Sequence, residues 1–399
     1  MRVLIADKFP KDRIGEIQAL GFEVDLQPDV AVKDLPTAVA GAAALVVRSK
    51  QVPAEVFEKA DALSLVIRAG AGTNTIDVAA ASKAGVFVAN CPGQNAIAVA
   101  ELAVGLLVAL DRRIPENVEK LRAGQWDKKA FSEARGLYGR TLGVAGLGPI
   151  GQAVVKRAQA FGMRVVAWSR SLDDAKAKAL GVERAPDLLT LAKGCDALSI
   201  HLPLKPETRG AVSRQVLEAM KPGAFFINTA RAEVVDQAAL LELAKAGKLR
   251  VGTDVFTAEP EKGQAPFDSE LGKLPGVYGT HHIGASTGQA QDAIAAEAVR
   301  ILGCFARGAA IPNCVNVAKK SPAKARLLVR HLDKVGVLAE VLAAVREAGI
   351  NVEEVQNTIF EGAAAASCTL QLGTKPGPEL VARIRGKKDV ILSVECVDL

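Results

Sequence analysis

The stretch RTLGVAGLGPIGQAVVKRAQAFGMRVVAWSR, residues 140–170, constrains this chain more than any other, because it reads as strand, glycine turn, helix and strand in one unit. Val144 and Ala145 close an apolar run, Gly146, Gly148 and Gly151 supply G-x-G-x-x-G, and the helical segment ends near Gly162 before MRVVAW. That is the length of a βαβ crossover. The first glycine permits the tight turn, the second lets backbone approach a pyrophosphate, the third lets helix pack on strand, and the helix N-terminus favours the phosphate charge. A bare G-x-G-x-x-G is a weak signal. Flanked in the right order by strand and helix, it points to a dinucleotide site.

A chain of 399 residues is long for one core and implies two or three domains. With 49% hydrophobic and 24% charged residues it belongs to the globular class. The longest apolar run, AIAVAELAVGLLVAL at 96–110, is interrupted by Glu101 and falls short of the roughly 20 residues a membrane span needs. It reads as a buried helix, and no membrane partner is expected. MRVLIADKFP lacks the parts of a signal peptide, so the expected location is cytoplasmic. The six cysteines show no C-x-x-C pair and no nearby histidine at metal spacing, which predicts free thiols and no metal site. The net charge of +6 is spread over the chain with no basic run, so nucleic acid is not an expected partner.

Residues 1–95 alternate strand-like runs (VLIA, FEVDL, ALVV, LSLVIRAG, VFVAN) with Ala-rich helical stretches, the pattern of a parallel α/β layer. PGQN at 92–95 breaks the pattern, and AIAVAELAVGLLVALDRRI is expected as one long helix leading into a central domain. The βα rhythm then continues through ALSIHLPL, AFFINTAR, LRVGTDVF and GVYGTHHI, so the dinucleotide sheet spans about 96–283. VAKKSPAKA reads as a linker over about 317–325. Residues 326–399 read βαββαβ, a small ferredoxin-like unit. The expected fold is α/β: two doubly wound parallel-sheet domains and this C-terminal unit.

Two of the four histidines, His281 and His282, sit together in GTHHIGAST just after an expected strand of the central sheet. Arg231 follows the strand AFFINTA and Glu259 lies just past LRVGTDVF. Strand ends beside a dinucleotide are where such sheets hold their ligands. Hydride transfer between nicotinamide and a hydroxy acid needs a cation for the carboxylate, an acid/base for the hydroxyl and a partner for that base. Arg, His and Glu at successive strand ends match those needs.

At these residues the chain resembles the D-isomer-specific 2-hydroxyacid dehydrogenases, and within them the phosphoglycerate dehydrogenase branch with a C-terminal ACT domain. RAGAGTNTID (68–77), NAIAVAE (95–101), VAGLGPIG (144–151), HLPL (201–204), NTARAEVVD (228–236), TDVFTAEP (253–260) and HHIGAST (281–287) carry the likeness. It implies that residues 1–95, completed by 284–316, bind substrate, and that Arg231 binds its carboxylate and carbonyl. His282 becomes the acid/base because it precedes Ile283-Gly284, and Glu259 pairs with it and raises its pKa. His281 stands where the family usually has proline. Gly146, Gly148, Pro149, Ile150, Gly151, Ser169, Arg170, His201, Pro203, Thr208, Thr229, Ala230, Arg231, Asp254, His282 and Gly284 are implied to contact the cofactor, with Asn228 alongside; a turn aspartate is the plainer role for Asp254. Ala69, Gly70, Gly72 and Asn95 are implied around the substrate carboxylate. Arg48 and Lys50 are the expected phosphate cations, with Lys128 and Lys129 weaker ones contributed by a partner subunit.

The implied reaction interconverts D-3-phosphoglycerate and 3-phosphohydroxypyruvate on the route to L-serine. The alternatives are reduction of glyoxylate, hydroxypyruvate or another 2-oxo acid, and, from a different class, a dehydrogenase-like nucleotide sensor or corepressor. The place where an NAD enzyme of this fold carries Asp or Glu is held by Ser169 and Arg170, which leans the cofactor expectation from NAD towards NADP. In the tail, RHLDKVGVLAEVLAAVREAGINVEEV resembles an ACT motif whose amino-acid site would use His331, Asp333, Gly336 and Asn351. L-serine is the effector this implies, in a homodimer or homotetramer; an ACT unit that only dimerises is the alternative.

Overall fold

A computed structural model of the chain describes residues 1–260 and 264–399. It divides into two compact units, Met1–Asn316 and Val317–Leu399. The first unit holds two parallel sheets. The N-terminal sheet is built from β1 (Arg2–Ile5), β2 (Glu23–Leu26), β3 (Ala42–Val47), β4 (Leu65–Arg68) and β5 (Phe87–Asn90) in the order β2-β1-β3-β4-β5. Strands such as AAALVV have no polar side because helices cover both faces. Lys11–Ala19 and the late helix Gly288–Ala306 pack on one face, and short helices Leu35–Ala38, Ala54–Lys59 and Val78–Lys83 on the other.

The central sheet comprises β6 (Thr141–Ala145), β7 (Arg164–Trp168), β8 (Glu183–Arg184), β9 (Ala197–Ile200), β10 (Ala224–Asn228), β11 (Leu249–Thr253) and β12 (Val277–Gly279), ordered β12-β11-β10-β9-β6-β7-β8. All its neighbours are parallel. The order reverses between β6 and β9, so a crevice opens beyond their C-terminal ends. The glycine turn after β6 and His201 after β9 border it. Helices Ala96–Arg112 and Pro149–Ala160 cover one face of this sheet, and Leu188–Gly194, Arg214–Glu218 and Gln237–Lys245 the other.

The single long helix expected over 96–114 is instead two. The first ends at Arg112, Arg113 takes a left-handed conformation (φ 49°), and a second helix runs Ile114–Arg122. Pro115 is the cause: it has no N–H to give the Asp111 carbonyl and is tolerated only in the first turn of a new helix.

The second unit is an antiparallel sheet ordered β14-β15-β13-β16, from β13 (Ala325–Leu332), β14 (Val352–Ile359), β15 (Ala365–Leu372) and β16 (Ile391–Asp398). Helices Val337–Glu347 and Pro378–Arg385 pack on one face, giving the expected βαββαβ. The alternation in β13 puts Leu327, Val329 and His331 on the helix side.

Leu110 is fully buried where the helix Ala96–Arg112 crosses the central sheet. Leu110→Ala is expected to cost about 2–5 kcal/mol of stability in denaturant unfolding. Ile114→Ala, at an exposed position of the next helix, should stay within about 0.5 kcal/mol.

Candidate active site

The cradle begins at Gly146, which follows β6 with φ 99° and whose missing Cβ would lie 2.5 Å from the His201 carbonyl oxygen. A Cβ on Gly151 would lie 2.0 Å from the Gly146 carbonyl oxygen, so the first helical turn lies directly on the loop. Gly148 differs from both: a Cβ there meets open space, at the N-cap of the helix that starts with Pro149 and Ile150. Close packing beneath and free space at the helix N-terminus are what a pyrophosphate needs, so these residues fit a dinucleotide. Ser169 and Arg170 follow β7; Arg170 is exposed and forms no ion pair among the described residues.

Across the crevice, His201 Nε2 lies 2.8 Å from the Ser199 hydroxyl while its Nδ1 is buried without a partner. Burial pushes the His201 imidazole down to about 4, so it stays neutral. The Thr208 hydroxyl donates to the Pro203 carbonyl at 2.5 Å and closes the loop after it. At the end of β10, Asn228 is buried, its amide donates to the Arg231 carbonyl at 3.0 Å and its Oδ1 accepts from the Ala230 N–H at 3.0 Å. The Thr229 hydroxyl is buried with no partner.

The Glu259 and His282 side chains meet: His282 Nδ1 is 2.6 Å from Glu259 Oε2, and Glu259 Oε1 accepts from the Phe256 N–H at 2.8 Å. Burial alone would raise the Glu259 pKa, but the bonds from His282 and from Phe256 N–H outweigh it, and Arg231 adds to them, so it falls below the usual carboxylate range. A carboxylate held low in the folded state adds stability above its unfolded pKa and loses that stability as pH falls through the folded value. Glu259 accepts only, so the His282 ring donates to it from Nδ1–H.

Asp254 is buried and fully used by the neighbouring loop. Its Oδ1 accepts from the Thr280 hydroxyl at 2.5 Å and the Ile283 N–H at 2.8 Å, and its Oδ2 from the Gly284 N–H at 2.8 Å. These bonds bracket His282, which sits between Thr280 and Ile283 in a left-handed conformation (φ 53°). His281 is exposed.

The N-terminal sheet brings its own strand ends to this place. The space above the Gly72 α-carbon is taken by the Arg231 guanidinium, and that above Gly70 by Arg68, which passes beneath the Ala69–Gly72 loop. The Asn90 amide fixes that loop through the Ala71 carbonyl at 2.6 Å. Burial, with Arg231 and Arg48 nearby, pulls the Arg68 guanidinium down to about 10, and its Nε is buried without a partner. Arg68 was missed from the sequence, although a cation at the end of a strand that leads into RAGAG was its signal. The Asp7 carboxylate accepts from the N–H groups of Arg48, Ser49 and Lys50 and shapes their turn. Of the two expected phosphate cations only Arg48 shares the field of Arg68; Lys50 gives its ammonium to the Pro28 and Val30 carbonyls. Asn95 Oδ1 is buried with no partner. Lys128 and Lys129 are exposed.

In the second unit His331 is buried, its Nδ1 2.7 Å from the Leu332 carbonyl and its Nε2 unpartnered. Asp333 and Gly336 are exposed on the turn before the helix, and the Asn351 amide donates to Glu353 at 2.8 Å.

A Rossmann sheet whose cradle lies beside an arginine and a glutamate-paired histidine defines a dinucleotide-dependent dehydrogenase. Residues 104–284 match the NAD binding domain of the D-isomer specific 2-hydroxyacid dehydrogenases. A D-3-phosphoglycerate dehydrogenase of Methanocaldococcus jannaschii is 37% identical over 92% of this chain and 69% of its own length. A hydroxypyruvate reductase of Thermotoga maritima is 43% identical over 64% of this chain and 82% of its own length. Among solved structures, the TT0316 protein of Thermus thermophilus superposes with a TM-score of 0.71 at 35% identity, covering 79% of this chain and all of that one. The chain belongs to the D-isomer specific 2-hydroxyacid dehydrogenases. It spans 64–69% of the length of the first three phosphoglycerate dehydrogenases it matches.

Asp254→Ala should lower kcat about 10²-fold by freeing the loop that aims His282, with dinucleotide affinity changed little. Stopped-rate assays paired with a fluorescence titration of the dinucleotide check this; a loss confined to affinity would give Asp254 the cofactor contact instead.

Proposed function

We propose that the chain interconverts D-3-phosphoglycerate and 3-phosphohydroxypyruvate with a nicotinamide dinucleotide, on the route to L-serine. The observation that carries this reading is the placing of three arginines: Arg68 and Arg231 against the Ala69–Gly72 loop, and Arg48 just past Val47, the strand neighbour of Arg68. A hydroxy acid with one carboxylate is matched by Arg231 alone; a second anionic group calls for further fixed cations. The names of the 37%-identical archaeal relative and its like support the same substrate.

The bound dinucleotide supplies or accepts the hydride. Arg231 holds the carboxylate and the carbonyl oxygen, with the Ala69–Gly72 backbone closing around them. His282 Nε2 takes the hydroxyl proton during oxidation and returns it during reduction, while Glu259 holds the ring by its Nδ1–H and stabilises the imidazolium. Arg231 stabilises the negative charge that builds on the oxygen between these states.

A second reading, reduction of hydroxypyruvate or glyoxylate, is favoured by the 43%-identical Thermotoga reductase and by the loss of Lys50 to backbone carbonyls. A sensor without turnover is disfavoured by the complete Arg231, Glu259 and His282 set, which a dinucleotide site alone does not need. We further assign the C-terminal unit the role of an ACT sensor for L-serine through His331, Asp333, Gly336 and Asn351, acting in a homo-oligomer.

Nicotinamide absorbance with a panel of 2-hydroxy and 2-oxo acids tests the assignment. The phosphorylated pair should exceed hydroxypyruvate and glyoxylate by about 10²-fold in kcat/KM, a difference of about 2.7 kcal/mol. Arg68→Ala should raise KM for the phosphorylated substrate more than for hydroxypyruvate, and His282→Ala should remove about 10³-fold of kcat with dinucleotide affinity nearly unchanged. Equal efficiency with hydroxypyruvate would transfer the assignment to the second reading.

Arg170 would pair with a 2′-phosphate, and no carboxylate at 169 or 170 opposes one. NADP should therefore be accepted, and Arg170→Ala should cut the NADP-to-NAD efficiency ratio about tenfold. A strong preference for NAD that the substitution leaves unchanged would remove this role.

A further inference from the structure

The central sheet has a second rim, where β6, β9, β10 and β11 begin. Strands of about five residues, some 17 Å long, separate it from the crevice that the dehydrogenase chemistry uses. A cavity of about 380 Å³ lies there, between the end of the helix Ala96–Arg112, the segment around Phe131 and the strand starts. Nothing in the reaction derived above draws on it.

Its walls are strongly cationic. Arg112, Arg113, Arg135, Arg140, Lys221 and Arg250 line it against three carboxylates, Asp111, Glu133 and Asp196, an excess of three positive charges. Two of the three carboxylates are already engaged, Glu133 has no ion pair among the described residues, and Arg113 has a further acid in Glu116 at 3.9 Å. Asp111 pairs with Arg140 at 3.2 Å, and Asp196 is shared between Lys221 at 2.9 Å, Arg135 at 3.9 Å and the Thr141 N–H at 2.9 Å. Arg112 and Arg250 have no ion pair among the described residues. Arg140 and Arg250 instead stand against the Phe225 ring, 4.4 and 5.4 Å from its centre.

Arg140 supplies a second, independent sign. It is 7% exposed, and its Nε–H is buried without an acceptor among the described residues. A buried donor left unpaired is costly, and polar atoms in that state commonly mark a missing partner. Burial also pulls the Arg140 guanidinium below its ordinary pKa in spite of Asp196 and Asp111.

We propose that this rim pocket binds a small polyanion, a phosphate ester or a di- or tricarboxylate, at a site separate from those for dinucleotide and hydroxy acid. Charge number rather than shape selects the ligand, because an excess of three positive charges within so small a volume favours multiply charged anions over single ones. The cations at its mouth come from three separate segments, so an anion bridging Arg112, Arg135 and Arg250 would tie the helix end, the 130–135 segment and β11 together.

Calorimetric titration of the full chain with inorganic phosphate and with citrate, at saturating dinucleotide, tests this. At least one of the two should bind, distinguishing the phosphate class from the carboxylate class, and acetate should bind far more weakly. Arg135→Gln with Arg250→Gln should weaken that binding about tenfold or more while leaving kcat unchanged, which also reports an intact fold. Arg48→Ala with Arg231→Ala, on the other rim, should leave it in place. Binding that survives the rim substitutions, that vanishes with Arg48 and Arg231, that acetate matches, or that is absent up to millimolar anion would each overturn the proposal.

Discussion

The contact between the Gly146 carbonyl and the α-carbon of Gly151 sets the distance on which the first unit depends. With only 2.0 Å available to a Cβ at position 151, the helix Pro149–Ala160 can descend onto β6 only if that residue is glycine. That descent has two effects. Its N-terminus opens at Gly148 directly over the crevice between β6 and β9, and its flank packs against the helix Ala96–Arg112. The second helix in turn carries Val99 against Gly284, beside the loop that presents His282. A side chain at 151 would push the glycine cradle and the His282 loop out of register together, because both are referred to the same pair of packed helices.

Electrostatics divides the work between the two sheets. The N-terminal sheet carries Arg48 and Arg68 at the ends of β3 and β4, and the nearby acid Asp7 is turned to backbone N–H groups. The central sheet delivers Arg231 together with a carboxylate–imidazole pair. Arg68 is held below its ordinary pKa chiefly by burial, and the neighbouring Arg231 and Arg48 lower it further. Burial and like charge both act against the charged form, so the cluster is unfavourable for folding and would be relieved by a bound anion.

Most of the architecture was legible because its signals are local. Strand runs without a polar side announced parallel sheets, and the glycine spacing announced the crevice. Arg231, Glu259 and His282 could be grouped because they follow strands of one sheet, and parallel neighbours bring successive strand ends together. Arg68 was not legible in the same way: its importance comes from Arg231 and Arg48, which are remote in sequence and meet it only across the two sheets. The break at Arg113 was hidden by an unbroken apolar periodicity over 96–112, although Pro115 carried the cause. Lys50 and Asp254 illustrate a third limit, since a charged residue at a strand end gives no sign in sequence of whether it faces a ligand or a carbonyl and N–H of its own chain.

The partnership of Asp254 and Glu259 explains how an exposed histidine can act with a defined tautomer. His282 lies on a surface loop, where an imidazole ordinarily samples both ring orientations and exchanges protons freely. Glu259 removes one choice by accepting from Nδ1, and Asp254 removes the other by fixing the backbone on both sides of the residue. The two carboxylates achieve this differently: Glu259 through charge that the histidine senses, Asp254 through three hydrogen bonds that hold the backbone in a left-handed conformation unusual for a residue other than glycine. Glu259, held below the usual carboxylate range, keeps its charge beside the ring over the range in which other carboxylates begin to protonate.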